Sequence, residues 1–160
     1  MGDIVVGISD LKCSSAHDDV IVTYALGSCV AVTVYDPVAR VGGMLHFMLP
    51  DSSLDRKKAE EVPAMFADTG IPLLFKSCYL LGAEKRRMKV KIIGGASILD
   101  NDNYFRIGQK NITAVRRILW KNNVLIDSED TGDMCNRTVR LRMADGRCFV
   151  KTSGGITKEL

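Results

Sequence analysis

The chain has no Cys-x-x-Cys pair, only two histidines (His17 and His46), and no apolar run near the roughly 18 residues a membrane-crossing helix requires. A structural zinc site would have to gather ligands from distant segments, and no spanning helix is expected. The amino terminus MGDIVVGISD lacks the basic start and long apolar stretch of a secretory signal, so the expected compartment is the cytoplasm. Aromatics are 6% of residues, and none interleaves with the densest basic stretch, residues 84–91, which lacks the stacking platform of a nucleic-acid binder. Net charge is +3, from 22 basic and 19 acidic residues, too small a surplus to indicate an anionic partner. The turn Gly94-Gly95-Ala96-Ser97 has no lysine and is not a Walker loop. No metal, organic cofactor, nucleic acid or direct membrane insertion is expected.

What is present suits one domain, spanning 1–160, of α/β (α+β) class. With 46% hydrophobic and 26% charged residues, a chain of 160 has the composition of a globular protein with one core. Five cysteines, at 13, 29, 78, 135 and 148, are odd in number and irregularly spaced, which argues against a disulfide framework and raises the question of which is a reactive thiol. Residues 3–8, 20–24, 29–35 and 41–49 are short runs of Val, Ile and Thr broken by Gly, Asp and Pro, and they predict an antiparallel meander. Turn chemistry at 50–53 leads into 54–61, charged enough for a mobile surface segment. One helix is predicted over about 66–81, ended by Gly82, with Pro72 implying a later start or a kink. A second is predicted over about 108–122, where Ile112, Val115, Ile118 and Leu119 form an apolar stripe. Strands are predicted at 90–93, 124–126, 138–143 and 147–152, the last two joined at Ala144-Asp145-Gly146.

Leu26-Gly27-Ser28-Cys29 combines turn residues with a thiol presented at the mouth of a strand. A free cysteine is more often a small buried residue, so Cys29 needs a partner to stand out. If Pro37-Val38 is a two-residue hairpin loop, Cys29 and His46 face each other across a strand pair, within reach of a Cys–His hydrogen bond. A longer loop, which Pro37 favours, or a bulge at Gly42-Gly43 would shift that register. His46 between Met44 and Met48 also reads as a packed core residue, whereas His17 lies in a polar loop. Thr23, on the preceding strand, is the nearest group to orient the imidazole through its hydroxyl or carbonyl, and the backbone N–H groups of Ser28 and Cys29 are the expected oxyanion donors.

The strings Thr23-Tyr24-Ala25-Leu26-Gly27-Ser28-Cys29-Val30-Ala31-Val32, Asp36-Pro37 and His46-Phe47-Met48-Leu49-Pro50-Asp51-Ser52 closely resemble the CheD family of chemoreceptor glutamine deamidases. Phe66-Ala67-Asp68-Thr69, Ile93-Gly94-Gly95-Ala96-Ser97, Ile107-Gly108-Gln109-Lys110-Asn111 and Glu129-Asp130-Thr131-Gly132 follow in the family's order, so the resemblance covers nearly the whole chain. It implies a layered sandwich of mixed, largely antiparallel β-sheets with two main helices outside, similar to deamidating-toxin cysteine hydrolases. It also implies a cysteine hydrolase that converts glutamine side chains on methyl-accepting chemotaxis receptors to glutamate, with some action on glutamyl methyl esters. The family's nucleophile falls on Cys29, its base on His46 and its orienting residue on Thr23, with Gly27 and Ser28 shaping the loop. A CheC-like phosphatase is an implied regulatory partner. Gly94, Gly95, Ala96 and Ser97, together with the loop 50–61, are candidates to frame a groove for the receptor helix. Departures from the family pattern are Asp133, where a second glycine is common, the following Met134-Cys135-Asn136, and Gly70 in place of alanine. The alternative from another class is a non-catalytic module that docks on a phosphatase or receptor.

Overall fold

A computed structural model describes residues 2–97 and 106–160. Among these residues ten strands form two five-stranded sheets. The first holds β1 (Gly2–Val5), β3 (Asp19–Leu26), β8 (Arg137–Arg142), β9 (Cys148–Thr152) and β10 (Thr157–Glu159) in that spatial order. The second runs β2 (Asp10–Ser14), β5 (Val41–Phe47), β4 (Val30–Asp36), β6 (Lys89–Gly94) and β7 (Ser128–Thr131). Two pairs, β1–β3 and β6–β7, are parallel and the rest antiparallel, the mixed and mainly antiparallel sandwich expected from the sequence. Helices α2 (Ala67–Leu80) and α3 (Ile107–Lys121) cover the outer face of the second sheet, and α1 (Arg56–Glu61) is a short surface turn.

The alternation in β4 decides the layering. Val30, Val32 and Val34 pack with Leu45 and Phe47 of β5 against Leu74, Phe75, Val115 and Leu119 of the helices. Ala31 and Tyr35 face the other way, meeting Met44, Ile21, Val139 and Leu141 between the sheets. Both faces are therefore buried. Each such branched side chain removed from water contributes about 1.5–3 kcal/mol, which anchors β4 in the middle of its sheet. The small Ala31 on its inner face stands directly opposite His46 and leaves room for the imidazole.

The expected register is corrected. His46 stands opposite Ala31, and Asp36 opposite Val41, so the loop is the four residues Pro37 to Arg40. The cause is Asp36: its buried carboxylate accepts from the N–H groups of Val38 (2.9 Å) and Ala39 (3.1 Å), while its carbonyl accepts from Arg40 (2.8 Å), which adopts a left-handed φ of 57°. Burial pushes the Asp36 carboxyl up, but the Arg87 guanidinium and the N–H groups of Glu84, Ala39 and Val38 outweigh it and hold the group below its ordinary range. The displacement is two residues, not one, so the side chains of 29 and 46 keep to a common face.

The predicted meander is also corrected, because β3 leaves β4 for the other sheet, where it pairs with β1 and β8. Residues 124–126 are not a strand; the edge strand is the polar β7, and β2 and β10 arise where no strand was predicted. The charged segment expected to be mobile forms α1, whose start is capped by Asp55 accepting from the N–H of Lys58 (3.1 Å). Helix α2 continues through Pro72 and ends before Gly82, whose φ is +106°. Asp133 has φ 61°, which explains why a glycine suits that position and what the aspartate costs. An alanine at Gly70 would bring its Cβ to 3.1 Å from Leu45, so the glycine seats α2 closely on β5.

Candidate active site

Strand β3 carries a bulge between Thr23 and Leu26, with Ala25 at φ 53°. The extra residue lets both Thr23 and Leu26 point inward, a device common beside functional sites. Thr23 reaches across the inter-sheet space: its Oγ1 lies 2.8 Å from His46 Nδ1 and 2.7 Å from the carbonyl oxygen of Val6. The hydroxyl has one proton, and the Val6 carbonyl can only accept. Thr23 therefore donates to Val6 and accepts from His46, which places the imidazole proton on Nδ1. Nε2 is left as a bare lone pair, buried and without a hydrogen-bond partner among the described residues.

His46 is 1% exposed, and burial lowers its pKa to about 4. An unfolded imidazole has its ordinary value near 6.5, so between those limits the unfolded chain binds a proton that the folded chain refuses. Stability from this group is fully present above about pH 6.5 and is lost as pH falls toward about 4, in total about 3 kcal/mol. Urea titrations at pH 7 and 4.5 should show that loss, and His46→Gln should reduce it; an unchanged slope would place His46 in contact with water.

Cys29 ends the loop that joins β3 to β4, and all three carbonyls of its turn are held from behind. Gly27 O accepts from the N–H of Ala96 (3.0 Å), Cys29 O from that of Gly95 (2.9 Å), and Ser28 O from Asn111 Nδ2 (3.0 Å). A Cβ on Gly94 would lie 2.4 Å from Cys29 O, and the φ of +114° also calls for glycine. Of the four residues expected to frame a groove, Gly94, Gly95 and Ala96 are buried and buttress the Cys29 loop, and Ser97 is exposed. The loop after β5 does line an open cleft of about 490 Å³, formed by Pro50, Asp51 and Asp68 with Gln109 and Lys110 of α3.

Cys29 packs with the inter-sheet cluster that contains Ala31 and Met44. His46 stands opposite Ala31, two residues from Cys29, so parity puts the thiol and the ring on the same side of the sheet. Among the described residues the two make no hydrogen bond with each other. Burial pushes the Cys29 thiol up, offset in part by its own backbone N–H beside the sulfur. The resting pair is consequently a neutral thiol and a neutral imidazole. His17 is exposed, as expected, and no group of three potential metal ligands occurs among the described residues.

Asn111 was missed as a site residue. It is fully buried in the apolar stripe of α3, beside Ile112 and Val115, and its Nδ2 also donates to Met48 O at 2.8 Å. A lone carboxamide in such a stripe is the signal that could have found it.

A family model described as "CheD chemotactic sensory transduction" matches residues 48–152. Relatives extend the similarity over the segment carrying Thr23, Cys29 and His46. The chain is 64% identical over all 160 residues, covering 100% of both chains, to a "Probable chemoreceptor glutamine deamidase CheD 1" of Syntrophus aciditrophicus. It is 46% identical to a "Probable chemoreceptor glutamine deamidase CheD" of Solibacter usitatus, over 96% of this chain and 91% of that one. A similarly named protein of Pyrococcus horikoshii is 39% identical, over 100% and 99%.

Proposed function

The chain belongs to the CheD family, and from that premise we propose that it is a cysteine hydrolase deamidating glutamine side chains on the helical cytoplasmic part of methyl-accepting chemotaxis receptors. The observation that carries the reading is the bare, buried Nε2 of His46, whose tautomer Thr23 sets, on the same sheet face as Cys29.

An amide is a poor electrophile with a poor leaving group, so both a strong nucleophile and a proton for nitrogen are required. As Sγ of Cys29 attacks the glutamine carbonyl carbon, His46 Nε2 takes the thiol proton and then passes it to the departing nitrogen, releasing ammonia. Starting from neutral partners suits this sequence, because the imidazolium forms only when there is a leaving group to protonate. Developing charge on the carbonyl oxygen is met by the N–H groups of Ser28 and Cys29, neither of which donates to another of the described residues. Water, deprotonated by His46, then cleaves the thioester to give glutamate and restores the thiol. A glutamyl methyl ester entering the same route would release methanol.

A soluble, cytoplasmic site of action is part of this reading, as is regulation by a CheC-like phosphatase; among the described residues no helix is long and apolar enough to cross a membrane. The test is incubation with receptor cytoplasmic fragments followed by peptide mass mapping. Discrete glutamines should gain about 1 Da as NH₂ is replaced by OH, with ammonia released in equal amount. Fragments that stay unmodified across a panel of receptors would overturn the proposal.

A further inference from the structure

We propose that Asn111 is a positioning residue for this reaction: by holding the Ser28 carbonyl it turns the Cys29 N–H toward the oxyanion, and by holding Met48 it ties the nucleophile's loop to the strand of the base. The inference rests on the hydrolase reading above and deepens it.

The peptide between Ser28 and Cys29 is trans, as are all those described, so its C=O and N–H point to opposite sides of one rigid plane. Asn111 Nδ2 pulls the carbonyl toward α3 at 3.0 Å, which directs the N–H away from α3 and toward the thiol. The proximity of that N–H to the sulfur is the second influence felt by the Cys29 thiol. Among the described residues no other group reaches Ser28 O, so there this plane is oriented by one side chain, whereas the planes on either side are held by the backbone of Gly95 and Ala96.

The second amide proton is spent on Met48 O, 2.8 Å away and two residues beyond His46. Both bonds accept at carbonyls, so the carboxamide cannot be rotated end for end without setting Oδ1 against two oxygens. Its orientation is determined by its partners. Oδ1 then lies buried with no partner among the described residues, a desolvation cost at a position where the neighbouring stripe is aliphatic. A leucine would serve the core better; the amide serves the two carbonyls. One turn earlier, Gly108 lets α3 approach so closely that a Cβ there would stand 2.5 Å from Gly95 O. That approach brings Asn111 within reach of the loop.

The test compares Asn111→Asp, which keeps the shape and removes both donors, with Asn111→Ala. Deamidation kcat should fall at least tenfold with KM within about twofold, since a missing oxyanion donor costs about 10²–10³ and a misdirected one less. Alkylation of Cys29 by iodoacetamide should stay within about twofold, because displacement at a saturated carbon develops no oxyanion. Unchanged kcat, or alkylation falling in parallel with deamidation, would overturn the role. Should neither variant fold, wild-type protein carries the decision. When the thiol adds across the C=O of a glutamate-like peptide aldehyde, its proton passing to His46, the Cys29 amide proton should move downfield; an adduct without that shift overturns the inference. Wild-type protein that releases no ammonia overturns the function itself, and turnover unimpaired by loss of Asn111 overturns this inference alone.

Discussion

Cys29→Ala is expected to abolish ammonia release, with turnover at least about 10⁴-fold below wild type, because the thioester route has no substitute nucleophile. The substitution is small in structural terms. Cys29 is only half-buried at the end of a loop, its sulfur makes no hydrogen bond to His46, and the turn's carbonyl clamps from Gly95, Ala96 and Asn111 do not involve its side chain. Thermal stability should therefore change little, which separates lost chemistry from lost fold. Cys29→Ser is the sharper comparison. His46 is a weak base with its pKa near 4, and a hydroxyl is far harder to deprotonate than a thiol, so the serine variant should be nearly as inactive as alanine. A protein that acted only by docking on a receptor or phosphatase would keep its effect in both variants. Retained ammonia release in Cys29→Ala would point to another nucleophile; Cys78 and Cys148 are buried, and burial raises the latter to about 11, which leaves the half-buried Cys13 and Cys135 as the thiols to replace next.

The proximity of Cys29 and His46 was readable from the sequence only to within their common face. Alternation in β4 and β5 fixes parity, and parity survived the register error because Asp36 lengthened the loop by two residues. Its capping of Val38 and Ala39 is a local signal, but its ties to Glu84 and Arg87 come from a segment almost fifty residues away. Local patterning could not report them. The stripe of α3 was legible because helical period is a property of one segment. The partner of β3 was not, since a strand's pattern says which face is buried but not which sheet covers it. Strands β7 and β10 carry Ser, Glu, Asp, Thr and Lys at sheet edges, where little burial is available to mark them. The residue that links helix to site, Asn111, sits within a motif the family resemblance had flagged, yet its role depends on two carbonyls from segments distant in the chain.

Thr23→Val should lower kcat by about 10²- to 10⁴-fold while Thr23→Ser retains most activity, because the side chain acts through a single proton position. Valine has the shape of threonine, so packing in the inter-sheet core is preserved. What is lost is the acceptor for the Nδ1 proton of His46 at 2.8 Å and the donor to Val6 O at 2.7 Å. With two buried groups left unpaired, stability should drop by about 1–3 kcal/mol, measurable as a lower urea midpoint. The larger effect is on the tautomer. A ring freed from Thr23 gains by turning its proton to Nε2, the atom that must be bare to accept from the thiol, or by rotating away from Cys29. Imidazole nitrogen NMR of the wild type should show a protonated Nδ1 and an unprotonated Nε2, and the valine variant a mixed or reversed pattern. Full activity in Thr23→Val with the wild-type tautomer intact would mean that some other contact orients His46, and the geometry offers none among the described residues.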